Sequence, residues 1–201
     1  MRPRLLDLFC GAGGCSVGYD RAGFEVVGVD LERQPNYPFE FHRADAMAWS
    51  LFDGFDAVHA SPPCQGYANV TLWRGAQGDH PRLIEPTRRR LIHQGLPYVI
   101  ENVRTTELRP CLVLCGSMFD LPIRRHRGFE TSWDAFELVP PCRHRASDMA
   151  FMHKHERAYA DAMGCDWMTA REAREAIPPA YTEFMGGLLM AEVLRTRKAA
   201  A

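Results

Sequence analysis

Apolar residues in this chain come in short runs, each cut off by glycine or by a charged side chain. Residues 4–9 form the first run, which ends in a glycine-rich turn; 15–22 carry helical spacing and close at Gly23. A second run over 25–30 ends in an acid, Asp30, and a short one follows at 40–43. Residues 56–60 lead into Ser61-Pro-Pro-Cys64, 82–93 return to helical spacing up to Gly95, and 97–102 end in polar groups. Strands alternating with helices predict an α/β fold with one doubly wound, mostly parallel sheet. Such sheets place their sites at the carboxyl ends of the strands. Residues 111–133 predict further strands with a turn at Gly116, and 134–146 an irregular loop around PPCRH at 140–144. Helices are predicted over 153–163, 169–176 and 180–197. Thr169 and Glu172 are spaced as a capping box, and Pro178 and Pro179 lead into the last helix. There is no internal repeat and no low-complexity linker.

Composition narrows the class. The 201 residues are 46% apolar and 24% charged, enough to bury a core and unlike a disordered, collagen-like or coiled-coil chain. No apolar run reaches the length of a bilayer span, and no cleavage pattern follows the first residues, so an intracellular, cytoplasmic protein is expected. Seven cysteines, an odd number in no regular framework, fit a reducing compartment. Charge is uneven: residues 1–81 carry net −4, 82–127 net +5 and 128–201 net −2. The basic middle suits an anionic polymer, although Arg88, Arg89 and Arg90 also read as a solvated helix face.

Several motifs carry chemistry. In DLFCGAGG at 7–14, glycines after a strand let a ligand approach the backbone, and the next helix offers free N–H groups. The spacing is not the G-x-G-x-x-G of dinucleotide sites. Asp30 is placed to accept from ribose hydroxyls, and Asp45 from an adenine amine, which together suggest an adenosine-containing cofactor. In SPPCQ at 61–65 a thiol stands at the end of a turn fixed by two prolines. As a nucleophile, Cys64 needs a lowered pKa or a proton acceptor; Arg125 and Arg127 are candidate sources of positive charge. Glu101, at a strand end in the same sheet, is an acid/base candidate. A thiol with a carboxylic acid suits cytosine: addition at C6 makes C5 enamine-like, and the acid stabilises the charge at N3 and the exocyclic amine. C5 then attacks an electrophilic methyl. The R-x-R spacing sends Arg125 and Arg127 to one side of a strand, where they can hold a phosphate or the pyrimidine carbonyl. Cys142-Arg-His144 and His153-Lys-His155 match no standard zinc spacing, so no metal site is expected.

DLFCGAGG, VGVD at 27–30, Asp45, SPPCQ, ENV at 101–103 and RRHR at 124–127 occur in an order and spacing that resembles the C5-cytosine DNA methyltransferase family. YTEFMGG at 181–187 is similar to that family's C-terminal motif. The resemblance is to a compact phage or bacterial type and implies a Rossmann-like S-adenosylmethionine-dependent fold. Residues 1–133 would form the core, 134–179 would stand in place of a target-recognition domain, and 180–197 would pack back on the core. It further implies that Phe9, Gly11, Ala12, Gly13, Gly14, Asp30, Leu31, Asp45, Ala46 and Pro62 line an S-adenosyl-L-methionine pocket. Cys64, Glu101, Arg125 and Arg127 would be catalytic, and Gln65, Tyr67, Arg74 and Asn102 would meet the substrate. In the family the 65–80 segment, with Tyr67, Trp73 and Arg74, is a mobile loop that closes on the base. The implied partner is double-stranded DNA with its cytosine flipped out. Two positions depart from the family: Ile123 stands where Gln is common, and Gly187 where Asn is. Only 53 residues separate Arg127 from Tyr181, too few for a recognition domain of usual size, so short or relaxed specificity, or an accessory specificity partner, is expected. RNA such as tRNA, or a free cytosine nucleotide, is the alternative substrate. Intact Cys64 and Glu101 argue against a non-catalytic DNA- or cofactor-binding protein.

Overall fold

The computed structural model describes residues 1–68, 77–135, 139–150 and 155–200. The strands are β1 (Arg4–Leu8), β2 (Glu25–Asp30), β3 (Glu40–Arg43), β4 (Ala57–Ala60), β5 (Tyr98–Asn102), β6 (Leu112–Leu114) and β7 (Arg127–Thr131). They form one sheet in the order β3-β2-β1-β4-β5-β7-β6. The first five are parallel, and β7 runs antiparallel to both β5 and β6. The order reverses beside β1, so the ends of β1, β2 and β4 open a crevice at the switch point of the sheet.

Central strands read as unbroken apolar runs because both of their faces are covered. In β1, Leu5 joins Tyr19, Phe24, Tyr181 and Met185 on one side, while Leu6 and Leu8 join Val29, Phe52, Ile84 and Leu91 on the other. Helix α1 (Gly14–Arg21) and helix α5 (Pro179–Ala200) cover the first side, and α2 (Ile84–Gln94) the second. α1 and α5 approach closely because Gly18 and Gly186 face the partner helix. A Cβ on Gly18 would lie 2.2 Å from the Pro179 carbonyl oxygen, and one on Gly186 2.5 Å from the Ala22 Cβ. α3 (Glu156–Ala162) and α4 (Ala170–Glu175) complete a smaller cluster that reaches Ala12 and Ile123.

Element boundaries follow local chemistry. α2 stops at Gly95, which takes the left-handed conformation at φ 72°. The capping box between Thr169 and Glu172 is present, and Pro179 opens α5 as expected. α5 runs past the predicted 180–197, and α3 is shorter than the predicted 153–163, whose first two residues lie outside the described residues. No helix among the described residues is long and apolar enough to cross a membrane.

The solvated-face reading of residues 88–90 is corrected for two of the three arginines. Arg88 is 3% exposed and bonds both carboxylate oxygens of buried Glu130 on β7 at 2.6 Å, as well as the Glu107 carbonyl and Glu85. Arg90 donates to the Met47 carbonyl and lies over the Phe52 ring. Arg89 alone is solvated. Part of the basic middle is therefore consumed in bracing α2 against the sheet. Arg88→Ala is expected to cost about 3–5 kcal/mol by leaving Glu130 buried and unpaired. Arg88→Met combined with Glu130→Leu is expected to recover most of that loss. Urea denaturation of the three proteins checks both statements.

Candidate active site

The turn after β1 is set by backbone conformation. Phe9 and Gly11 take left-handed φ values of 60° and 50°. The Gly11 N–H then donates to Asp30 Oδ2 at 3.0 Å, and the Glu32 N–H donates to Asp30 Oδ1 at 2.9 Å. Two amides thus hold the Asp30 carboxylate at the end of β2, with lone pairs left on both oxygens. No atom lies within 4 Å of where a Gly11 Cβ would stand, so a ligand can reach the backbone there. Of the other residues expected at the cofactor, Leu31 and Asp45, just past the ends of β2 and β3, are exposed, Phe9 is half-buried, and Ala46 and Pro62 are buried. Asp45 accepts from the Met47 N–H at 2.8 Å.

The other glycines of the turn serve packing. A Cβ on Gly13 would lie 2.9 Å from Pro38, and one on Gly14 2.5 Å from the Ile177 carbonyl oxygen. The Ala12 carbonyl accepts from the Trp167 indole at 3.0 Å. Ala12 and Gly14 thus dock C-terminal segments on the turn, and Gly13 packs on the segment between β2 and β3.

Cys64 stands half-buried at the end of the Ser61-Pro62-Pro63 turn. Buried Asn102, at the end of β5, donates to the Pro62 carbonyl at 2.7 Å and accepts from the Val103 N–H at 3.0 Å. Asn102, expected as a substrate contact, ties the thiol's turn to the neighbouring strand. Tyr67, expected likewise, is buried; its oxygen accepts from the Ile84 N–H at 3.0 Å, and the Arg82 guanidinium lies over its ring. Gln65 keeps a buried Oε1 without a hydrogen-bond partner among the described residues. Arg74 and Trp73 lie outside the described residues.

Glu101 on β5 is 4% exposed, with Arg127 Nε 3.1 Å from its Oε1. Arg125 is 7% exposed, donates to the Arg174 carbonyl at 3.1 Å and lies over the Tyr159 ring. Its backbone carbonyl accepts from Tyr181 at 2.7 Å, so α5 holds the arginine loop in place. Glu101 Oε1 and Arg125 Nε are both buried and make no hydrogen bond among the described residues. Burial pushes the Glu101 carboxyl above the ordinary range, against the pull of Arg127, the Ser61 hydroxyl and Arg125. Burial also pushes up the Cys64 thiol; Arg127 and Arg125 oppose this, while Glu101 and Glu175 add to it. Cys64, Glu101, Arg125 and Arg127 therefore form one electrostatically coupled group.

Sequence reasoning missed the polar chain behind Glu101. Buried Tyr19 meets His59 Nδ1 at 2.9 Å, and His59 Nε2 meets the Ser61 hydroxyl at 2.8 Å. Burial lowers the His59 pKa to about 3, so the ring is neutral and acts as a fixed polar strut. The alternation of β4 puts His59 inside the molecule, which only the assembled sheet reveals.

Asp7 is a second buried acid under the site, bonded to Ser16. Burial pushes its pKa up from 3.8 to about 7. A carboxyl whose pKa rises on folding favours the folded state fully below its unfolded pKa. That contribution is lost as pH rises toward and through 7. The thermal midpoint is expected to fall across this window, and Asp7→Asn to flatten the fall. Calorimetry from about pH 4 to pH 8 compares the two slopes; equal slopes exclude Asp7 as the source.

The structure also brings together four residues expected to bind nothing: Cys115, His126, Cys142 and His144, with ligand-capable atoms all within 4.8 Å of one another. His153 lies outside the described residues, and His155 stands at the start of α3.

A family model described as C-5 cytosine-specific DNA methylase matches residues 3–106, and the chain belongs to that family. It is 27% identical over 146 residues to the type II methyltransferase M.XorII of Xanthomonas oryzae pv. oryzae, covering 64% of this chain and 31% of that protein. It is 32% identical over 123 residues to the type II methyltransferase M1.HphI of Haemophilus parahaemolyticus, covering 51% and 33%. The chain thus spans about a third of the length of these curated relatives. Among solved structures, the Entamoeba histolytica methyltransferase EhMeth shares the fold at 15% identity and a TM-score of 0.51, over 72% of this chain and 58% of that one.

Proposed function

We propose that this member of the C-5 cytosine-specific DNA methylase family transfers a methyl group from S-adenosyl-L-methionine to C5 of cytosine in double-stranded DNA. The observation that carries the reading is the coupled group of Cys64, Glu101, Arg125 and Arg127. A thiol at a rigid turn and a buried carboxyl of raised pKa are what nucleophilic addition to C6 with protonation at N3 requires.

The crevice beside β1 fits the cofactor. Its floor is open above Gly11, its Asp30 carboxylate is pre-oriented by two amides, and Leu31 offers an apolar face at 61% exposure. Asp30 would accept from the ribose hydroxyls and Asp45 from the adenine amine. When bound, S-adenosylmethionine supplies an electrophilic methyl group. Cys64 gives up its proton and bonds to C6 of a flipped cytosine. Glu101 donates to N3, and the Arg125 guanidinium holds the base carbonyl. Arg127 keeps Glu101 in place. Once C5 is methylated, loss of its proton to water expels the Cys64 thiolate, N3 returns its proton to Glu101, and the thiolate takes a proton from water to regenerate the thiol. Residues 134–179 stand where a recognition domain would be, so we read the specificity as short or relaxed, or as supplied by an accessory partner. We read the protein as acting on its DNA in the cytoplasm of a bacterial or phage-infected cell.

The test is methyl transfer from labelled S-adenosylmethionine to equal amounts of duplex DNA, single-stranded DNA, tRNA and dCMP, with 5-methylcytosine quantified by mass spectrometry. Duplex DNA is expected to be the best substrate. Signal confined to tRNA or dCMP overturns the substrate and keeps the mechanism. Cofactor binding without transfer to any of the four overturns the enzymatic reading.

A further inference from the structure

We propose that Cys115, His126, Cys142 and His144 bind a zinc ion that staples the 139–149 segment to the arginine loop of the active site. The inference rests on geometry and is independent of the methyl-transfer reading.

The fold assembles the four ligands from three places. β6 and β7 pair with Leu114 opposite Arg127. Cys115 and His126 are therefore the next facing positions just past the end of that ladder. Cys142 and His144 come from a segment crossing over them, two residues apart. Cys142 Sγ lies 2.9 Å from His144 Nε2 and 3.4 Å from His126 Nε2, and Cys115 Sγ lies 3.1 Å from His144 Nε2. The two rings sit at 71° with centroids 5.0 Å apart. Ligand atoms at zinc–sulfur and zinc–nitrogen bond lengths in a tetrahedron lie about 3.3–3.8 Å from each other. The cluster is already close to that size, with the ring nitrogens turned toward the sulfurs.

Hydrogen bonding alone explains the cluster poorly. Cys142 Sγ faces His126 Nε2, His144 Nε2 and the Ser117 hydroxyl. Two thiol protons can serve the two imidazole nitrogens, Cys142 with His126 and Cys115 with His144, but that pairing leaves Cys142 Sγ 2.9 Å from His144 Nε2 with no proton between them. A divalent ion uses all four lone pairs at once, and two thiolates neutralise it. Two sulfur and two imidazole donors in a closed tetrahedron select zinc and leave no position for water, so the site is structural. Ser117 supplies outer support: its hydroxyl is 3.4 Å from Cys142 Sγ and accepts from the Arg143 N–H at 3.1 Å.

The placement gives the ion a consequence. His126 stands between Arg125 and Arg127, so fixing its ring fixes the backbone from which both arginines project. Among the described residues the crossing segment is otherwise tied to the rest of the fold by few bonds: Arg143 N–H to the Ser117 hydroxyl, Arg124 N–H to the Met149 carbonyl, Met149 N–H to the Pro122 carbonyl, and Arg124 to the Arg145 carbonyl. Its residues 141–147 are all exposed, so apolar burial does little to order it.

The full chain, purified without chelator or an immobilised-metal step, is expected to carry one zinc per molecule by elemental mass spectrometry. Exchange into cobalt is expected to give the visible bands of a tetrahedral ion and sulfur-to-cobalt charge transfer. Cys142→Ser and His144→Ala, both at exposed positions, are expected to fold, lose the zinc and lower the thermal midpoint. Ser117→Ala is expected to weaken zinc binding by roughly 10–100-fold. Cys111→Ser, outside the cluster, keeps the metal. The proposal is overturned if a chain expressed with added zinc melts cooperatively yet holds none. Full zinc retention by the Cys142→Ser/His144→Ala double variant overturns it equally.

Discussion

Cys64→Ala is expected to lower methyl transfer by roughly 10³-fold or more while leaving folding and S-adenosylmethionine binding unchanged. The side chain is half-buried, and its turn is held by Asn102 through the Pro62 carbonyl and not by the thiol. Removing one sulfur therefore takes away the nucleophile and little else. Without a bond at C6, C5 of cytosine is a poor nucleophile, and no neighbouring side chain can replace a thiolate. Burial holds the thiol above its ordinary pKa in the free protein despite Arg127 and Arg125. Its alkylation by iodoacetamide is therefore expected to be slow at neutral pH and to accelerate as pH rises. Duplex DNA carrying 5-fluorocytosine adds a second readout. Fluorine at C5 blocks the elimination that releases the enzyme, so the wild-type chain is expected to stay covalently attached on a denaturing gel. The alanine variant is expected to leave no such band. A variant that retained a tenth of the wild-type transfer would remove Cys64 from the mechanism.

The succession of strands along the chain, the glycine turn, the proline-fixed turn that carries Cys64 and the acid at the end of β5 were legible in the sequence because each is a local pattern. A buried parallel strand writes itself as an apolar run, and a site at its carboxyl end as the next few residues. What was not legible depends on pairing between distant segments. Arg88 reads as one of three helix-surface arginines until β7 delivers Glu130 beneath it. His59 lies in the 56–60 run with no role to read until Tyr19 and Ser61 close on its two nitrogens. Cys115 and His126 become neighbours only through the antiparallel register of β6 and β7. Spacing rules for zinc sites could not find a ligand set split over three segments. Tyr67 and Asn102 likewise carry bracing bonds the sequence did not reveal, to the Ile84 N–H and the Pro62 carbonyl.

Glu101→Gln is expected to lower kcat/KM by about 10²–10⁴-fold and, more tellingly, to change the shape of its pH dependence. The amide keeps the volume of the acid beside Arg127 but cannot deliver a proton to N3. On the proposed mechanism the active form needs Glu101 protonated and Cys64 ionised. Burial raises both groups, the acid from an ordinary value far below the thiol's, and the acid is expected to lose its proton first. Between them the protonated fraction of Glu101 falls as the thiolate fraction of Cys64 rises, so kcat/KM is expected to be flat there. It drops below the Glu101 value, where less thiolate forms, and above the Cys64 value, where the acid keeps losing protons. Glutamine removes the falling factor. The residual activity is then expected to climb about tenfold per pH unit across the former plateau and to level off at the Cys64 value. Were Glu101 only a counter-charge to Arg127, the wild-type profile would itself climb with the thiolate, and glutamine would lower the rate without changing that shape. Single-turnover transfer to duplex DNA across the pH range, with cofactor saturating, separates the two roles. A wild-type profile that climbs in parallel with the glutamine variant's would deny Glu101 the part of proton donor and leave it as a partner of Arg127.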